Sequence, residues 1–146
     1  MSHQTYLWIK LVHFVGFIVW LSSIFGLANM LREKVGGSGE ARDLLIRLAR
    51  NAGRAMDTGA TLAIVAGVVM LIKSPAPVRP MEQPYFHVKL TLAVLLLALH
   101  GFLRMRAGKL AKGDARPLGP APLAVATLLF LGIVGIVLIG PLYLHK

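Results

Sequence analysis

Ionisable side chains inside long apolar segments are the residues of this sequence that are placed to do chemistry. The segment 84–110 contains His87, Lys89 and His100. It is long enough to cross a bilayer, since about 20 residues at a rise of about 1.5 Å each span the hydrocarbon core. An ionisable group costs at least about 2.5 kcal/mol at the centre of a membrane helix, so such groups usually face the bundle interior and have a function. At about 100° per residue, Lys89 and His100 share one helical face and His87 points the other way.

The first apolar segment carries a second set of polar residues. Lys10, His13, Phe17 and Trp20 occupy positions i, i+3, i+7 and i+10, which form one face of a helix. A lysine and a histidine therefore lie on an aromatic stripe.

Histidines on two facing helices could bind iron. Neutral imidazole is a common axial ligand of haem iron, and the facing helices of a four-helix bundle are a usual place for such a site. We predict that His13 and His87, which lie at similar depth, bind the iron of one haem. A single intramembrane histidine is often only hydrogen-bonded to a neighbouring helix, and this alternative stays open, above all for His100.

The other polar and aromatic residues would complete such a site. Lys10 and Lys89 offer cations for porphyrin propionates. Phe17 or Trp20 would pack against the porphyrin ring. His100, which lies deeper along the third segment, is a candidate for proton transfer.

Composition supports a membrane protein. Of 146 residues, 56% are hydrophobic and only 15% are charged, and the mean hydropathy is +0.70, which is too apolar for an ordinary soluble domain. The chain has no cysteine, so disulfides, thiolate metal sites, iron–sulfur clusters and cysteine nucleophiles are excluded. Iron bound by histidine is not excluded.

The net charge of +10 comes from basic residues beside the apolar segments. Six of the sixteen lysines and arginines lie at 32–54 and five at 104–116. This placement is a positive-inside topology signal rather than a nucleic-acid surface. It predicts a multi-pass protein with both termini outside the cytoplasm, His13 and His87 in the outer half of the bilayer and His100 in the inner half.

The predicted fold is all-α, a single membrane domain over residues 1–146 built as a four-transmembrane-helix bundle. The predicted spans are 6–31, 56–73, 85–105 and 123–144. A short amphipathic cytoplasmic segment, ARDLLIRLARNAGR, is predicted between the first two helices, either on the membrane surface or as an extension of the second span. Asp57 is interpreted as a helix-start residue, favoured by the helix dipole, with a catalytic acid as the alternative. SPAPVRPMEQ, with three prolines, is interpreted as a loop. Gly59, Ala63 and Gly67 have the four-residue spacing that lets membrane helices approach closely.

Three stretches of the sequence resemble a known family. YLWIKLVHFVGFIVW in the first span, AMDTGATLAIVAG in the second and YFHVKLTLAVLLLALHG in the third are similar to the HemJ-type protoporphyrinogen IX oxidases, small four-span bacterial membrane proteins loosely related to CopD-like membrane domains. The resemblance covers most of the chain. Its specific residues are Trp8, Lys10, His13, Trp20, His87, Lys89 and His100. It implies that His13 and His87 are histidines of a haem or substrate site, and it implies b-type haem and a homo-oligomer in the bacterial inner membrane. It also implies removal of six electrons and six protons from a tetrapyrrole substrate, with a membrane quinone as electron acceptor.

Two departures from that family keep a second hypothesis open. Ala28 and Asn29 stand where the family usually has a Pro-Arg pair, and RPLGPAPL precedes the last span where the family usually has an Asn-Glu pair. The alternative is therefore a non-enzymatic b-type haem-binding or electron-carrier membrane protein.

A third hypothesis is a metal-handling membrane protein with soft methionine ligands. The methionines are scattered over both sides of the predicted bundle without a ligand-like spacing, so we interpret them as packing residues. They are Met30, Met56, Met70, Met81 and Met105.

Overall fold

The described part of the chain consists of four helices that run alternately in opposite directions. The computed structural model describes residues 2–32, 39–73, 84–114 and 116–144, and the side chains of these ranges except at 85 and 137–144. The helices are α1 (His3–Arg32), α2 (Glu40–Ile72), α3 (Pro84–Ala111) and α4 (Ala121–Leu144). No β-strand occurs in the described ranges, which confirms the all-α prediction. The predicted loop SPAPVRPMEQ, Met81 within it, and most of VGGSGE lie outside the described residues.

Three of these helices are long and apolar enough to cross a membrane. They are His3–Arg32, Glu40–Ile72 and the part of α3 from Phe86 to Ala111. Within α4, the stretch Ala121–Ile136 is apolar but shorter. The lengths and compositions are compatible with a multi-pass membrane protein.

Helix α2 is one continuous element of 33 residues. The amphipathic segment predicted as a separate element therefore extends the second span, which is the second of the two alternatives. The helix continues because Ala49, Gly53 and Met56 are all buried against the other helices. Asp57 lies in the middle of α2, so its interpretation as a helix-start residue is wrong. Met56 is fully buried in the core, in agreement with a packing role.

Helix α3 ends later than the predicted boundary at 105. Ala107 and Leu110 are buried, and their packing extends the helix by more than a turn. Gly113 then ends it with φ +105°, a conformation that glycine adopts without steric cost. The amides of Gly113 and Asp114 donate to the carbonyls of Leu110 and Lys109 at 3.1 and 3.0 Å, the Schellman arrangement of a helix C-terminus.

Packing is tightest where α1 crosses α2. A β-carbon added at Gly16 would lie 2.7 Å from the Ala63 nitrogen, and one added at Gly59 would lie 2.5 Å from the Trp20 nitrogen. Only residues without a side chain permit this approach of two backbones. The predicted small-residue pattern on α2 is confirmed, since Gly67 also faces α1.

Among the described side chains, the buried ones lie in one half of the bundle, the half at the basic ends of the helices. Buried residues begin at Gly16 on α1 and at Leu96 on α3. Towards the other end, large apolar side chains are exposed on both helices. They include Leu7, Trp8, Leu11, Phe14, Val88, Leu90 and Val94. The outer half predicted to hold the haem is therefore the loosely packed half.

Candidate functional site

A chain of hydrogen-bonded side chains connects α1, α2 and α3 in the packed half of the bundle. Trp20 on α1 donates its indole N–H to Nδ1 of His100 on α3 at 3.0 Å. Nε2 of His100 lies 3.1 Å from Oδ1 of Asp57 on α2. The other oxygen of Asp57 lies 3.0 Å from Nη2 of Arg104. Each pair joins two different helices.

The chemistry of the partners fixes the proton on His100. An indole N–H is a donor only, so Nδ1 of His100 must accept and carries no proton. The ring proton is then on Nε2 and is donated to the Asp57 carboxylate. Asp57 also forms an ion pair with Arg104. The geometry thus describes a neutral histidine next to a carboxylate and guanidinium ion pair.

The exposed fraction of the side chains increases along this network from α1 to the Asp57 and Arg104 pair. Trp20 is 3% exposed, the His100 side chain 15%, and Asp57 and Arg104 about two-fifths. His100 and Arg104 are four residues apart and so lie on one face of α3. Gly53 leaves room for the Arg104 side chain, because a β-carbon at position 53 would collide with Nη1 of the guanidinium. The network connects the apolar core to the polar surface.

His13 lies in a different setting, at the border of the loosely packed half. Its Nδ1 is 2.7 Å from the carbonyl oxygen of Ala63 on α2. A carbonyl only accepts, so Nδ1 carries the proton and Nε2 is left with a lone pair. Gly67 makes room for the ring, since an added β-carbon would be 3.1 Å from its Cε1 atom. Nε2 has no hydrogen-bond partner among the described residues.

Lys10 on α1 and Lys89 on α3 interact electrostatically, and Lys89 also acts on the His13 ring. Both lysines are exposed.

The remaining predicted residues lie further apart. His87 is exposed on α3 and packs edge-on against Phe86, with ring centroids 6.3 Å apart. Phe17 is half-buried and lines a small apolar groove between α1 and α4 together with Phe130.

Sequence reasoning missed two members of the network. Asp57 was assigned to a helix start, and Arg104 was counted only as a topology signal. The sequence signal for both residues is that His100 and Arg104 share one face of an apolar helix. Such a pair predicts a carboxylate partner on a neighbouring helix at the same depth. The hydrogen-bonded alternative for His100 is the arrangement that the structure shows.

Comparison with protein-family models, with curated proteins and with solved structures finds no match. Within the described residues, no group of three or more histidines and carboxylates is placed to hold a metal ion. A haem needs only one or two axial ligands, so this does not bear on the predicted haem site.

Loss of the His100 ring is expected to free the Trp20 indole. The variant His100→Leu removes the acceptor of the indole N–H and leaves it buried, which costs roughly 1–3 kcal/mol of unfolding free energy. The side-chain signal of Trp20 in a ¹⁵N-indole spectrum should shift upfield, while that of Trp8, which is exposed, should not move. An unshifted Trp20 signal would show that the hydrogen bond is absent in the folded protein. His3→Leu, at the exposed start of α1, is the control.

Proposed function

We propose that this chain is an integral protein of the bacterial inner membrane that binds haem b and oxidises protoporphyrinogen IX to protoporphyrin IX. The observation that carries the proposal is the orientation of His13. Iron-binding histidines usually donate their second ring N–H to a carbonyl or carboxylate, which fixes the tautomer and the ring plane. The bond from His13 to the Ala63 carbonyl does this, and it leaves Nε2 as the ligand atom.

The surroundings of His13 fit a porphyrin. Lys10 and Lys89 lie close enough to act on each other electrostatically, and two propionates would relieve that repulsion by pairing with them. The exposed apolar side chains at this end of α1 and α3 offer a surface for the macrocycle. His87, exposed on α3, is the candidate for a second axial ligand. When bound, haem supplies one-electron redox chemistry.

The chain's own residues would hold the substrate and move its protons. Lys10 and Lys89 would orient a tetrapyrrole through its propionates. His100 donates its Nε2 proton to the partly exposed Asp57 carboxylate. A proton that replaces the Trp20 hydrogen bond at Nδ1 would let the Nε2 proton leave through Asp57. A membrane quinone is the expected acceptor of the electrons.

One observation favours an alternative, a haem-binding electron carrier without oxidase activity. Asp57 is engaged by His100 and Arg104, and the other described carboxylates lie near helix ends. These are Glu40, Asp43 and Asp114. No carboxylate among the described residues lies near His13 to accept protons from a porphyrinogen.

A reduced-minus-oxidised visible spectrum of the purified protein tests the proposal. We expect the absorbance bands of b-type haem and, in cells that lack their own porphyrinogen oxidase, restored porphyrin production. A colourless protein that takes up no added haem contradicts the proposal as a whole. Haem without porphyrinogen oxidation would assign the electron-carrier function instead.

A further inference from the structure

A groove of about 520 Å³ lies between α2 and α3 at the basic end of the bundle. Ile46 and Arg50 line it from α2, and Met105, Gly108 and Ala111 line it from α3. Gly108 leaves the space open, since an added β-carbon would have no neighbour within 4 Å. The groove therefore combines an apolar wall with charged groups.

Its charge is positive. Arg104 also lines the groove, and its Nη2 atom is paired with Asp57. Arg50 is exposed and has no ion-pair partner among the described residues. Arg47 and Arg54 lie within a turn on the same helix, so the field around Arg50 favours an anion.

The position of the groove matches the depth of lipid headgroups. On α2 it lies just before the apolar stretch that begins at Met56, and on α3 it starts where the basic run begins at Arg104. An amphiphile with an anionic head and an acyl tail would contact both the arginines and the apolar residues that line the groove. Anionic lipids of the cytoplasmic leaflet have this chemistry, and basic pockets between membrane helices bind their headgroups.

We infer that this groove binds an anionic glycerophospholipid, with its phosphate at Arg50 and Arg104 and an acyl chain along Ile46 and Met105. The inference rests on the membrane placement within the proposed function and is independent of haem. Membrane fractionation tests that placement separately, so its failure and the failure of the lipid site are distinguishable.

The experiment measures lipid retention and thermal stability in a zwitterionic detergent. The full chain is titrated with phosphatidylglycerol, with phosphatidylcholine and with free glycerol phosphate. We expect native mass spectra to show retained phosphatidylglycerol and the unfolding temperature to rise with this lipid alone. Arg50→Gln should reduce its retention about fivefold, as expected for one arginine at a membrane surface.

Two pairs of variants distinguish lipid binding in the groove from a general effect of charge or of side-chain size. Arg47→Gln removes the same charge from the same helix outside the groove lining and should retain the lipid. Gly108→Leu fills the groove without changing charge and should abolish retention. Gly101→Leu, at another open position on α3, should not. Folding is not at risk in either leucine variant, because leucine is a better helix former than glycine.

Three outcomes would overturn the lipid site. One is equal retention of phosphatidylcholine. Another is equal stabilisation by glycerol phosphate alone, which would assign the groove to a soluble phosphate. The third is unchanged phosphatidylglycerol retention in Arg50→Gln and Gly108→Leu.

Discussion

Replacing Gly59 with leucine is expected to prevent α1 and α2 from packing and to leave little folded protein. An added β-carbon at Gly59 would lie 2.5 Å from the Trp20 nitrogen and 2.8 Å from the Gly16 carbonyl oxygen. Both atoms belong to the backbone, so no rotamer change can relieve the collision. Overpacking of a core costs typically about 1–3 kcal/mol, and we expect a loss of about 3 kcal/mol or more here because a whole helix must move.

The measurement is the unfolding temperature of the detergent-purified variant next to the parent protein. Gly101→Leu is the matched control, since an added β-carbon at Gly101 has no neighbour within 4 Å. It should be as stable as the parent or more stable by up to about 1 kcal/mol, the gain in helix propensity. A Gly59→Leu protein with the parent's unfolding temperature would disprove the close crossing of α1 and α2.

Replacing His13 with alanine is expected to abolish haem binding while the fold persists. The variant removes Nε2, which is the proposed ligand atom, and the ring that the Ala63 carbonyl orients. Loss of an orienting partner alone usually costs about 10- to 100-fold in metal affinity, so loss of the ligand should cost more than about 100-fold. The absorbance bands of b-type haem should disappear from the reduced-minus-oxidised spectrum.

A milder variant distinguishes iron binding by His13 from a packing role of its ring. Gly67→Ala keeps the imidazole but places a β-carbon 3.1 Å from Cε1 of His13, which should tilt the ring and weaken haem binding without abolishing it. His3→Ala, at the exposed start of α1, should retain all haem. Full retention in both His13→Ala and His87→Ala would rule out the ligand assignment.

The helices themselves could be predicted from sequence because long apolar segments and small-residue spacing act locally. The close approach of α1 and α2 at Gly59 and Ala63 follows from the small size of these residues, and it is present in the structure. The start of α2 could not be predicted, because ARDLLIRLARNAGR is equally compatible with a surface helix and a continuation. Burial of Ala49 and Gly53 against other helices decides between them, and that is a tertiary effect.

The candidate site could be predicted from sequence only in part. The parallel direction of α1 and α3 follows from the single span that lies between them, and Trp20 and His100 on these two helices are hydrogen-bonded. The partners of His100 depend on the rotation of three helices about their axes. Asp57 and Trp20 meet His100 only in the assembled bundle, so spacing within one helix could not reveal them.

The close crossing of α1 and α2 also has a consequence for the order of assembly. Gly16 and Gly59 meet within the first two helices, so this hairpin can form in the membrane while α3 is still being synthesised. Before α3 packs, Asp57 lacks both of these contacts, because His100 and Arg104 belong to α3. The packing of α3 therefore supplies both partners of this carboxylate at once.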